Sequence, residues 1–416
     1  MLEGVGGGRS DTPKVLLVGY NGANNTGSEA RLLEIIKEIR TVLGNDTIIT
    51  VPTLNERNLR RYLEESETIR IAPVPSIYFM ELRRLVRCHD LIMLVEGSCY
   101  MDTWTSALLW AFLSATKYAH SYGRPSLAYA VDAGNVSSAN RRRVRREASK
   151  TDLIITRTEA AADRLREWGV DTSIDVTADT AFSFHLDDTP TGFIRTIWPG
   201  SGERVMGMSV VNFNLWPVVF RPCGRRSLCY RWPYYYSHSR SRREGTTLLA
   251  RGLAREADRV VEEHDMSVAL IAMEALDEPL AMQVRESMVH PERARIFSSN
   301  RHNASEMTFI LRDLEMLITS RYHASVLSLA SGVPQVAVGH DLRLMDLYGD
   351  LGIVKERFKE HDSTDLWDWI SSSVDELLDD REERQRLLEG NRRHLERASR
   401  NRTLLREFVE EHGVIR

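Results

Sequence analysis

The sequence predicts an α/β protein in which two doubly wound parallel-sheet domains face each other across a cleft, followed by a helical C-terminal tail. Short apolar runs of strand length alternate with helical patterns along most of the chain, which is the rhythm of parallel sheets covered by helices. The 416 residues exceed the size of one ordinary core. A loop rich in Gly and Pro, from Leu186 to Glu203, divides the alternation into two series.

The first series begins at Lys14 and includes an early loop rich in Gly and Asn, Gly19 to Ser28. Each predicted strand is a short, mostly apolar run, and each predicted helix has apolar residues at helical spacing. Gly169 follows the last helix in the position that glycine prefers. The predicted strands are Val15–Val18, Ile48–Val51, Ile69–Ala72, Leu91–Val95, Ser126–Val131 and Leu153–Thr156. The predicted helices are Glu29–Leu43, Glu56–Ser66, Phe79–Cys88, Met101–Tyr122, Arg141–Lys150 and Ala160–Trp168.

The second series opens with the predicted strand Val205–Val211. Residues Phe213 to Gly245 then have an irregular pattern that mixes aromatic residues with arginines. Charged residues at helical spacing from Asp362 to His412 predict surface helices. The other predicted elements are helix Thr246–His264, strand Ser267–Ala272, helix Glu278–Met288, strand Ala294–Phe297, and a strand-helix-strand unit within Leu314–Asp341.

These patterns predict a disordered N-terminus (residues 1–13), an N-terminal Rossmann-like domain (14–190), a C-terminal Rossmann-like domain (200–361) and C-terminal helices (362–416). In such sheets the loops after the strands meet at the carboxyl edge, where ligands bind. We therefore expect several loops to converge on one cleft between the domains: Gly19–Ser28, Glu96–Asp102, Asp132–Val136, Thr156–Glu159 and Ser320–His323.

Composition excludes several classes of protein. The net charge of −4 argues against a dedicated nucleic-acid-binding protein. No apolar stretch is long enough to predict a transmembrane helix, and the N-terminus has no apolar region typical of a signal peptide. The four cysteines lack a paired Cys-x-x-Cys spacing, which predicts no structural metal site and favours reduced thiols in the cytoplasm.

The segment Leu314 to Asp341 carries the clearest chemical signal. An apolar strand ends at Ser320, and a helix rich in small residues follows. Arg321 and His323 lie at this junction, where the free N–H groups and the dipole of the helix favour an anion. The planar guanidinium of Arg321 suits a phosphate or carboxylate, and His323 can move a proton near neutral pH.

The motifs together resemble the polysaccharide pyruvyl transferases. The resemblance extends over roughly Lys14 to Ile353, and its most distinctive parts are the loop Asn25-Thr26-Gly27-Ser28-Glu29-Ala30 and the segment Ser320-Arg321-Tyr322-His323-Ala324. Weaker matching motifs are Glu96-Gly97-Ser98 with Asp102, Ala128 to Gly134, Thr156 to Glu159, Asp179 to Phe182, and Gly332-Val333-Pro334. The resemblance implies a GT-B-like fold and transfer of a pyruvyl group from phosphoenolpyruvate to a sugar, usually as a ketal.

This resemblance also implies roles for particular residues. His323 is expected to act as the acid or as a donor to the leaving phosphate, and Asp102 is a second candidate, as the base for a sugar hydroxyl. No metal and no cofactor are expected, since phosphoenolpyruvate is itself the donor substrate. The expected acceptor is a glycan, a lipid-linked unit or a nucleotide-activated sugar, and a homo-oligomer is compatible with the sequence. The expected substrate-binding residues are Arg321, Arg157, Ser320, Asn25, Gly27, Ser28 and Ser98.

Two features leave alternatives open. Glu96 stands where the family often has glycine, so its carboxylate would repel a phosphate unless it points away or serves the acceptor. The aromatic and arginine-rich residues of Phe213 to Gly245 either form a lid over the sugar or fill a gap beside the second domain.

Two other functions remain compatible with the sequence. A glycosyltransferase or sugar-nucleotide epimerase of the same fold would need a nucleotide site, for which His340-Asp341 offers a carboxylate. A sugar-binding protein without catalysis is the third alternative.

Overall fold

The computed structural model describes residues 12–186, 191–216, 218–226, 229–237, 239–339 and 342–414. Most of the predicted disordered N-terminus, part of the predicted domain boundary, and the His340-Asp341 pair lie outside these described residues. Within the described ranges, none of the helices is both long and apolar enough to cross a bilayer.

In the described part of the chain, the N-terminal sheet has seven parallel strands in the order β3-β2-β1-β4-β5-β6-β7. Its strands are β1 (Lys14–Val18), β2 (Ile48–Thr53), β3 (Ile69–Pro73), β4 (Leu91–Leu94), β5 (Ser126–Val131), β6 (Leu153–Thr156) and β7 (Ser173–Val176). Its helices are α1 (Thr26–Leu43), α2 (Glu56–Leu59), α3 (Phe79–Arg87), α4 (Ser106–Ser121), α5 (Ser138–Ala148) and α6 (Glu159–Glu167). The order reverses between β1 and β4, and such a reversal opens a crevice at the carboxyl ends of the two strands.

The C-terminal sheet has six parallel strands among the described residues, in the order β13-β12-β8-β14-β15-β16. Its strands are β8 (Val205–Ser209), β12 (Ser267–Ala272), β13 (Ala294–Ser298), β14 (Met316–Thr319), β15 (Gln335–Gly339) and β16 (Phe358–Glu360). Its helices are α7 (Phe193–Ile197), α8 (Arg240–His264), α9 (Glu278–Ser287), α10 (Ala304–Arg312), α11 (Tyr322–Leu329), α12 (Leu342–Leu351) and α13 (Val354–Arg357). Here the order reverses between β8 and β14.

The segment expected to be irregular contains a small antiparallel sheet. Its strands are β9 (Val219–Phe220), β10 (Cys229–Arg231) and β11 (Tyr234–Tyr235), in the order β10-β11-β9. Helix α8 begins at Arg240, earlier than the predicted Thr246, because the side chain of Ser239 caps it and accepts a bond from the Arg242 N–H.

Two helices form the tail, α14 (Leu366–Asp379) and α15 (Arg381–Glu411). Helix α15 returns to the N-terminal domain, where Leu405 and Phe408 pack in the same apolar cluster as Val15 and Leu17. The amide of Asn401 donates to the carbonyl of Ala178 at 2.9 Å. The tail, which follows the C-terminal domain, therefore packs back on the N-terminal domain and connects the two.

Candidate active site between the two sheets

The loops that follow the two reversal points face each other across the domain boundary. The loop after β1 leads into α1, and the N–H of Thr26 donates to the carbonyl of Met273, just beyond β12, at 2.9 Å. Asn25 and Glu274 form an isolated antiparallel bridge at the same place. In the second sheet, the N–H of Val211 donates to Oγ of Ser320 at 2.6 Å and joins the ends of β8 and β14. Rigid strand ends thus hold both walls of the site.

Between these walls lies a cavity that offers about 80 Å³ to the centre of a water-sized sphere. Five of the nine residues predicted for the site line it: Asn25, Ser28, Ser98, Arg321 and His323. Trp216 and Tyr236, from the segment expected either to form a lid or to fill a gap, also line it. Other lining residues were not assigned to the site by sequence reasoning, among them Tyr20, Trp104, Glu274 and Arg343.

Arg321 caps the N-terminus of α11 but does not present a free guanidinium. Its Nε donates to Oδ2 of Asp277 at 2.9 Å, its Nη2 pairs with the other oxygen of Asp277, and its Nη1 donates to Oε2 of Glu274 at 3.2 Å. Burial alone would lower the pKa of Arg321, but the charges of Asp277 and Glu274 hold it above its ordinary value. An anionic ligand must therefore share Arg321 with two carboxylates.

Glu274 is one of two buried carboxyl groups that line the cavity, the other being Glu96. Burial raises the pKa of Glu274 to about 7, the nearby charge of Asp277 adds to the shift, and Arg321 opposes it. Nδ2 of Asn25 donates to Oε2 of Glu274 at 3.2 Å, and the hydroxyl of Tyr20 to its Oε1 at 3.4 Å. A carboxyl group that exchanges its proton near neutral pH is suited to acid–base chemistry. Its position directly after the apolar run of β12 and Met273 is the signal that could have found it in the sequence.

His323 is enclosed between the domains. Its ring packs so closely on Gly27 that a Cβ atom at Gly27 would overlap the imidazole. Its Nε2 lies 3.5 Å from Oδ2 of Asp179. Burial lowers the pKa of His323, while Asp179 acts in the opposite direction. At neutral pH the imidazole is therefore uncharged and able to accept a proton.

Arg157 does not line the cavity but belongs to a buried ion network behind it. Its Nε donates to Asp132 at 2.9 Å and its Nη1 to Asp179 at 2.5 Å, and its guanidinium lies over the ring of Tyr322. Arg31 pairs with the same oxygen of Asp179 at 3.0 Å. Burial alone would raise the pKa of Asp179, but Arg31 and Arg157 hold it well below its ordinary value. The network keeps Asp179 ionised beside His323.

Glu96 stands at the motif position where the family often has glycine, and it lines the cavity on its N-terminal wall. Its Oε2 accepts bonds from the N–H of Tyr20 at 3.3 Å and from Oγ of Ser28 at 3.1 Å, and its Oε1 from Oγ of Ser98 at 3.4 Å. The expected capping role of Ser28 belongs to Asn25, whose side chain accepts the Ser28 N–H at 3.1 Å, so that α1 starts at Thr26. Ser28 is thereby free to hold the carboxylate of Glu96.

Asp102 lies apart from the cavity, in a separate surface depression beside Arg141. Its carboxylate accepts bonds from the N–H and the hydroxyl of Ser137, the latter at 2.6 Å, and from Nδ2 of Asn140 at 2.8 Å. These partners are at the start of α5, so the carboxylate anchors that end of the helix and lies near the positive end of its dipole. Ser320, also predicted to bind substrate, is buried, and its hydroxyl oxygen accepts a hydrogen bond from the Val211 N–H.

A family model, polysaccharide pyruvyl transferase, matches residues 23–341, which is most of the chain. The chain belongs to the polysaccharide pyruvyl transferase family. As a member of this family, the protein is a transferase, and the resemblance inferred from the motifs is confirmed. No curated protein sequence matches the chain significantly.

Solved structures of similar fold include UDP-N-acetylglucosamine 2-epimerases. The S. aureus MnaA structure with UDP has a TM-score of 0.64 at 11% identity, over 97% of this chain and 98% of that chain. The putative UDP-N-acetylglucosamine 2-epimerase of Listeria monocytogenes has a TM-score of 0.61 at 12% identity, over 97% and 98% of the two chains. UDP-GlcNAc 2-epimerase from Neisseria meningitidis, bound to UDP-GlcNAc, has a TM-score of 0.60 at 11% identity, over 96% of this chain and 100% of that chain. These similarities concern the fold, and they confirm the predicted GT-B-like architecture.

Proposed function

We propose that the protein transfers a pyruvyl group from phosphoenolpyruvate to two hydroxyl groups of a sugar acceptor and so forms a pyruvate ketal. The observation that supports it is one cavity shared by Arg321, His323 and Glu274 in a member of this transferase family. These three side chains supply a cation for an anionic donor, a neutral imidazole and a carboxyl group with a pKa of about 7. The four cysteines are free thiols, which fits the cytoplasmic location that forms part of the proposal.

The C-terminal wall is the proposed donor side. Phosphoenolpyruvate carries a phosphate and a carboxylate, and the guanidinium groups of Arg321 and Arg343 both line the cavity. Asp277 and Glu274 already offset the charge of Arg321. Protonation of Glu274 removes one negative charge from this wall, so proton uptake by Glu274 would accompany binding of the donor.

Protons and bonds balance in the formation of the ketal. The methylene carbon of the donor gains one proton, two acceptor oxygens bond to C2 and lose one proton each, and the bond from C2 to the phosphate oxygen breaks. In the proposal Glu274 delivers a proton to the methylene carbon as the C=C π bond of the donor is lost, and His323 accepts the proton of the first attacking hydroxyl. The proton of the second hydroxyl leaves on the phosphate, and transfer of the proton from His323 back to Glu274 restores both groups. His323 thus has the role of a base in the proposed reaction, in place of the acid expected from the sequence. The donor carries the activated group, so the proposed reaction requires no cofactor.

The N-terminal wall and the aromatic loop form the proposed acceptor side. Trp104 and Trp216 pack edge to face with ring centroids 4.5 Å apart, and both line the cavity with Tyr236. Aromatic faces of this kind bind the apolar faces of sugar rings. The carboxylate of Glu96 can accept hydrogen bonds from sugar hydroxyls. This arrangement supports the lid interpretation of the loop, with a glycan, a lipid-linked unit or a nucleotide-activated sugar as the acceptor.

The fold favours one second candidate, a glycosyltransferase or epimerase that binds a sugar nucleotide, since the similar structures contain UDP or UDP-GlcNAc. A thermal-shift experiment separates the candidates. Stabilisation by phosphoenolpyruvate, and not by UDP or GDP, supports the pyruvyl transferase. The reverse result would replace it with the second candidate.

A phosphate-release assay with a panel of sugar acceptors then tests the reaction itself. We expect acceptor-dependent release of phosphate from phosphoenolpyruvate, with donor binding weakened in Arg321→Ala. Arg301→Ala, which changes an exposed arginine just beyond strand β13, is the matched control. Stabilisation by a sugar without phosphate release under any condition would point instead to a sugar-binding protein without catalysis.

A further inference from the structure

Large apolar side chains exposed to solvent are concentrated in one region of the molecule. Of the ten such side chains among the described residues, six belong to three short segments. Met80 is 87% exposed, Ile77 70% and Phe220 68%. We call the six residues the apolar rim: Leu54, Ile77, Phe79, Met80, Phe220 and Trp232. A continuous exposed apolar patch usually marks an interaction surface.

The three segments of the rim are neighbours in space. The small sheet reaches across to the N-terminal domain through Arg231, whose Nε donates to Oγ of Ser76 at 3.1 Å and whose Nη1 donates to the carbonyl of Leu54. Phe220 lies in the same sheet, with its ring edge to face with Tyr234 at 6.0 Å. Ser76 directly precedes Ile77, so the bonds of Arg231 bring the segments into one surface.

Positive charge surrounds the rim. Helix α3 buries Leu82, Leu85 and Val86 and turns outward, at helical spacing, the side chains of Met80, Arg83, Arg84 and Arg87. Its acidic residue, Glu81, is paired with Arg84 at 2.5 Å. The aromatic segment from Phe213 to Gly245 contains seven arginines and one acidic residue, Glu244, which is paired with Arg240. Near Leu54 the acidic Glu56 is paired with Arg60.

A second cavity begins beneath the rim. It offers about 240 Å³ to the centre of a water-sized sphere and lies between the ends of β1, β2 and β3 and the start of α4. Leu54, Tyr78 and Arg231 line its outer part, and Tyr20, Thr105 and Leu108 are shared with the cavity of the candidate active site. The rim therefore borders a cavity that shares part of its lining with the cavity of the candidate active site.

We propose that the apolar rim, together with the arginines of α3, docks the protein on an anionic lipid bilayer. Protruding apolar side chains enter the interface of a bilayer, and arginines beside them meet the anionic headgroups. A second copy of the chain is a poor occupant because it would bring the same positive charge against this surface. The inference concerns a surface outside the reacting cavity, and its test contains no substrate, so it stands or falls independently of the proposed reaction.

Sedimentation of the full chain with phosphatidylcholine vesicles, with or without phosphatidylglycerol, tests the proposal. We expect binding to the vesicles with phosphatidylglycerol, weakened by added salt. Ile77→Ser with Met80→Ser should lose most of this binding. The matched control is Met282→Ser with Val289→Ser, which changes side chains that are 49% and 73% exposed elsewhere and should bind as the unmodified protein does.

A second pair of variants tests the contribution of the arginines to vesicle binding. Arg83→Gln with Arg87→Gln should weaken binding by about fivefold for each arginine. Arg142→Gln with Arg146→Gln changes helix α5, which has more arginines than α3 but none of the ten exposed apolar side chains, and should have little effect. Absence of binding to anionic vesicles, or equal binding by rim and control variants, would overturn the proposal. So would a dimer that the rim variant converts to monomer, since the rim would then be an interface between copies.

Discussion

Oδ2 of Asp179 lies 3.5 Å from Nε2 of His323, so a carboxylate of the N-terminal domain faces an imidazole of the C-terminal domain. The same oxygen pairs with Arg31 and Arg157. The imidazole of His323, which is the group best suited to accept a proton, is thus oriented by a carboxylate of the opposite domain. Loss of this carboxylate would leave two buried guanidinium groups undercompensated, which typically costs about 3–5 kcal/mol.

Replacement of His323 by alanine tests its catalytic role. We expect His323→Ala to lower kcat by about 10²–10⁴-fold, the usual contribution of a positioned acid or base, while the protein remains folded. Circular dichroism and the phosphate-release assay measure the two effects. His290→Ala, a change at a half-exposed histidine paired with Glu262, is the control. A kcat equal to that of the unmodified protein would remove His323 from the chemistry.

The contact between Gly27 and His323 predicts a steric effect. Alanine is intrinsically better than glycine inside a helix by about 1 kcal/mol. Gly27→Ala should nevertheless lower both kcat and stability, because the new Cβ would displace the imidazole. Gly349→Ala is the matched control, as its Cβ would meet no atom within 4 Å.

Thermal unfolding of the double variant completes this test. In Gly27→Ala with His323→Ala the overlap is gone, so the destabilisation caused by Gly27→Ala should largely disappear. Equal destabilisation of Gly27→Ala with and without His323 would contradict the contact.

The raised pKa of Glu274 predicts pH-dependent donor binding. Above its pKa of about 7 the ionised carboxylate repels an anion, and below it the neutral form does not. Affinity for phosphoenolpyruvate should therefore rise as pH falls through 7, by up to about tenfold per pH unit. Calorimetry on Glu274→Gln should find tighter binding at alkaline pH and a weaker pH dependence.

The ligand's own titration is common to both proteins, so the difference between their pH profiles isolates Glu274. Glu315→Gln, at a half-exposed carboxylate near Arg204, is expected to keep the unmodified profile. Parallel profiles for Glu274→Gln and the unmodified protein would exclude the coupling.

Asp102 is expected to act on stability. Asp102→Asn weakens the hydrogen bonds that the carboxylate accepts from Ser137 and Asn140 and should reduce the free energy of unfolding by about 1 kcal/mol, with kcat nearly unchanged. Chemical denaturation and the phosphate-release assay give the two values. A large fall in kcat at unchanged stability would instead restore the role of base expected from the sequence. Asp380→Asn, at the cap of α15, provides a comparison distant from the cavity.

Glu29 predicts a pH dependence of stability. It is 1% exposed, and burial raises its pKa from 4.5 to about 8. A raised folded pKa means that stability is greatest when the group is protonated in both states, declines as pH rises above 4.5, and stops declining above about 8. Glu29→Gln should flatten this decline by up to a few kcal/mol. Denaturant unfolding at several pH values measures it, and an unchanged decline would contradict the assignment.

The strand pattern was predictable because it depends on local sequence. The predicted strands Ser126–Val131, Leu153–Thr156 and Ser267–Ala272 have the bounds that the structure gives them. Apolar runs of this length can bury both faces only in a covered parallel sheet. The position of Arg321 and His323 at the end of β14 follows from the same pattern, since strand ends at a reversal of order border the cleft.

Several element bounds depended on distant residues. Helix α1 starts at Thr26 rather than at Glu29 because its first turn docks on Met273 of the other domain. The strands of the small sheet are too short to carry a recognisable alternation. They form where Arg231 can reach the N-terminal domain.

The sequence by itself determined the two parallel sheets, the family, and the meeting of Arg321 and His323 at one cleft, because periodicity and strand-end position are local properties. Only the tertiary structure decided which charges meet. In the folded chain Asp277 and Glu274 pair with Arg321, and Arg157 belongs to a buried ion network. Asp102 accepts hydrogen bonds at the start of α5. Burial and charge interactions depend on distance through space, and residues that are far apart in the chain supply them.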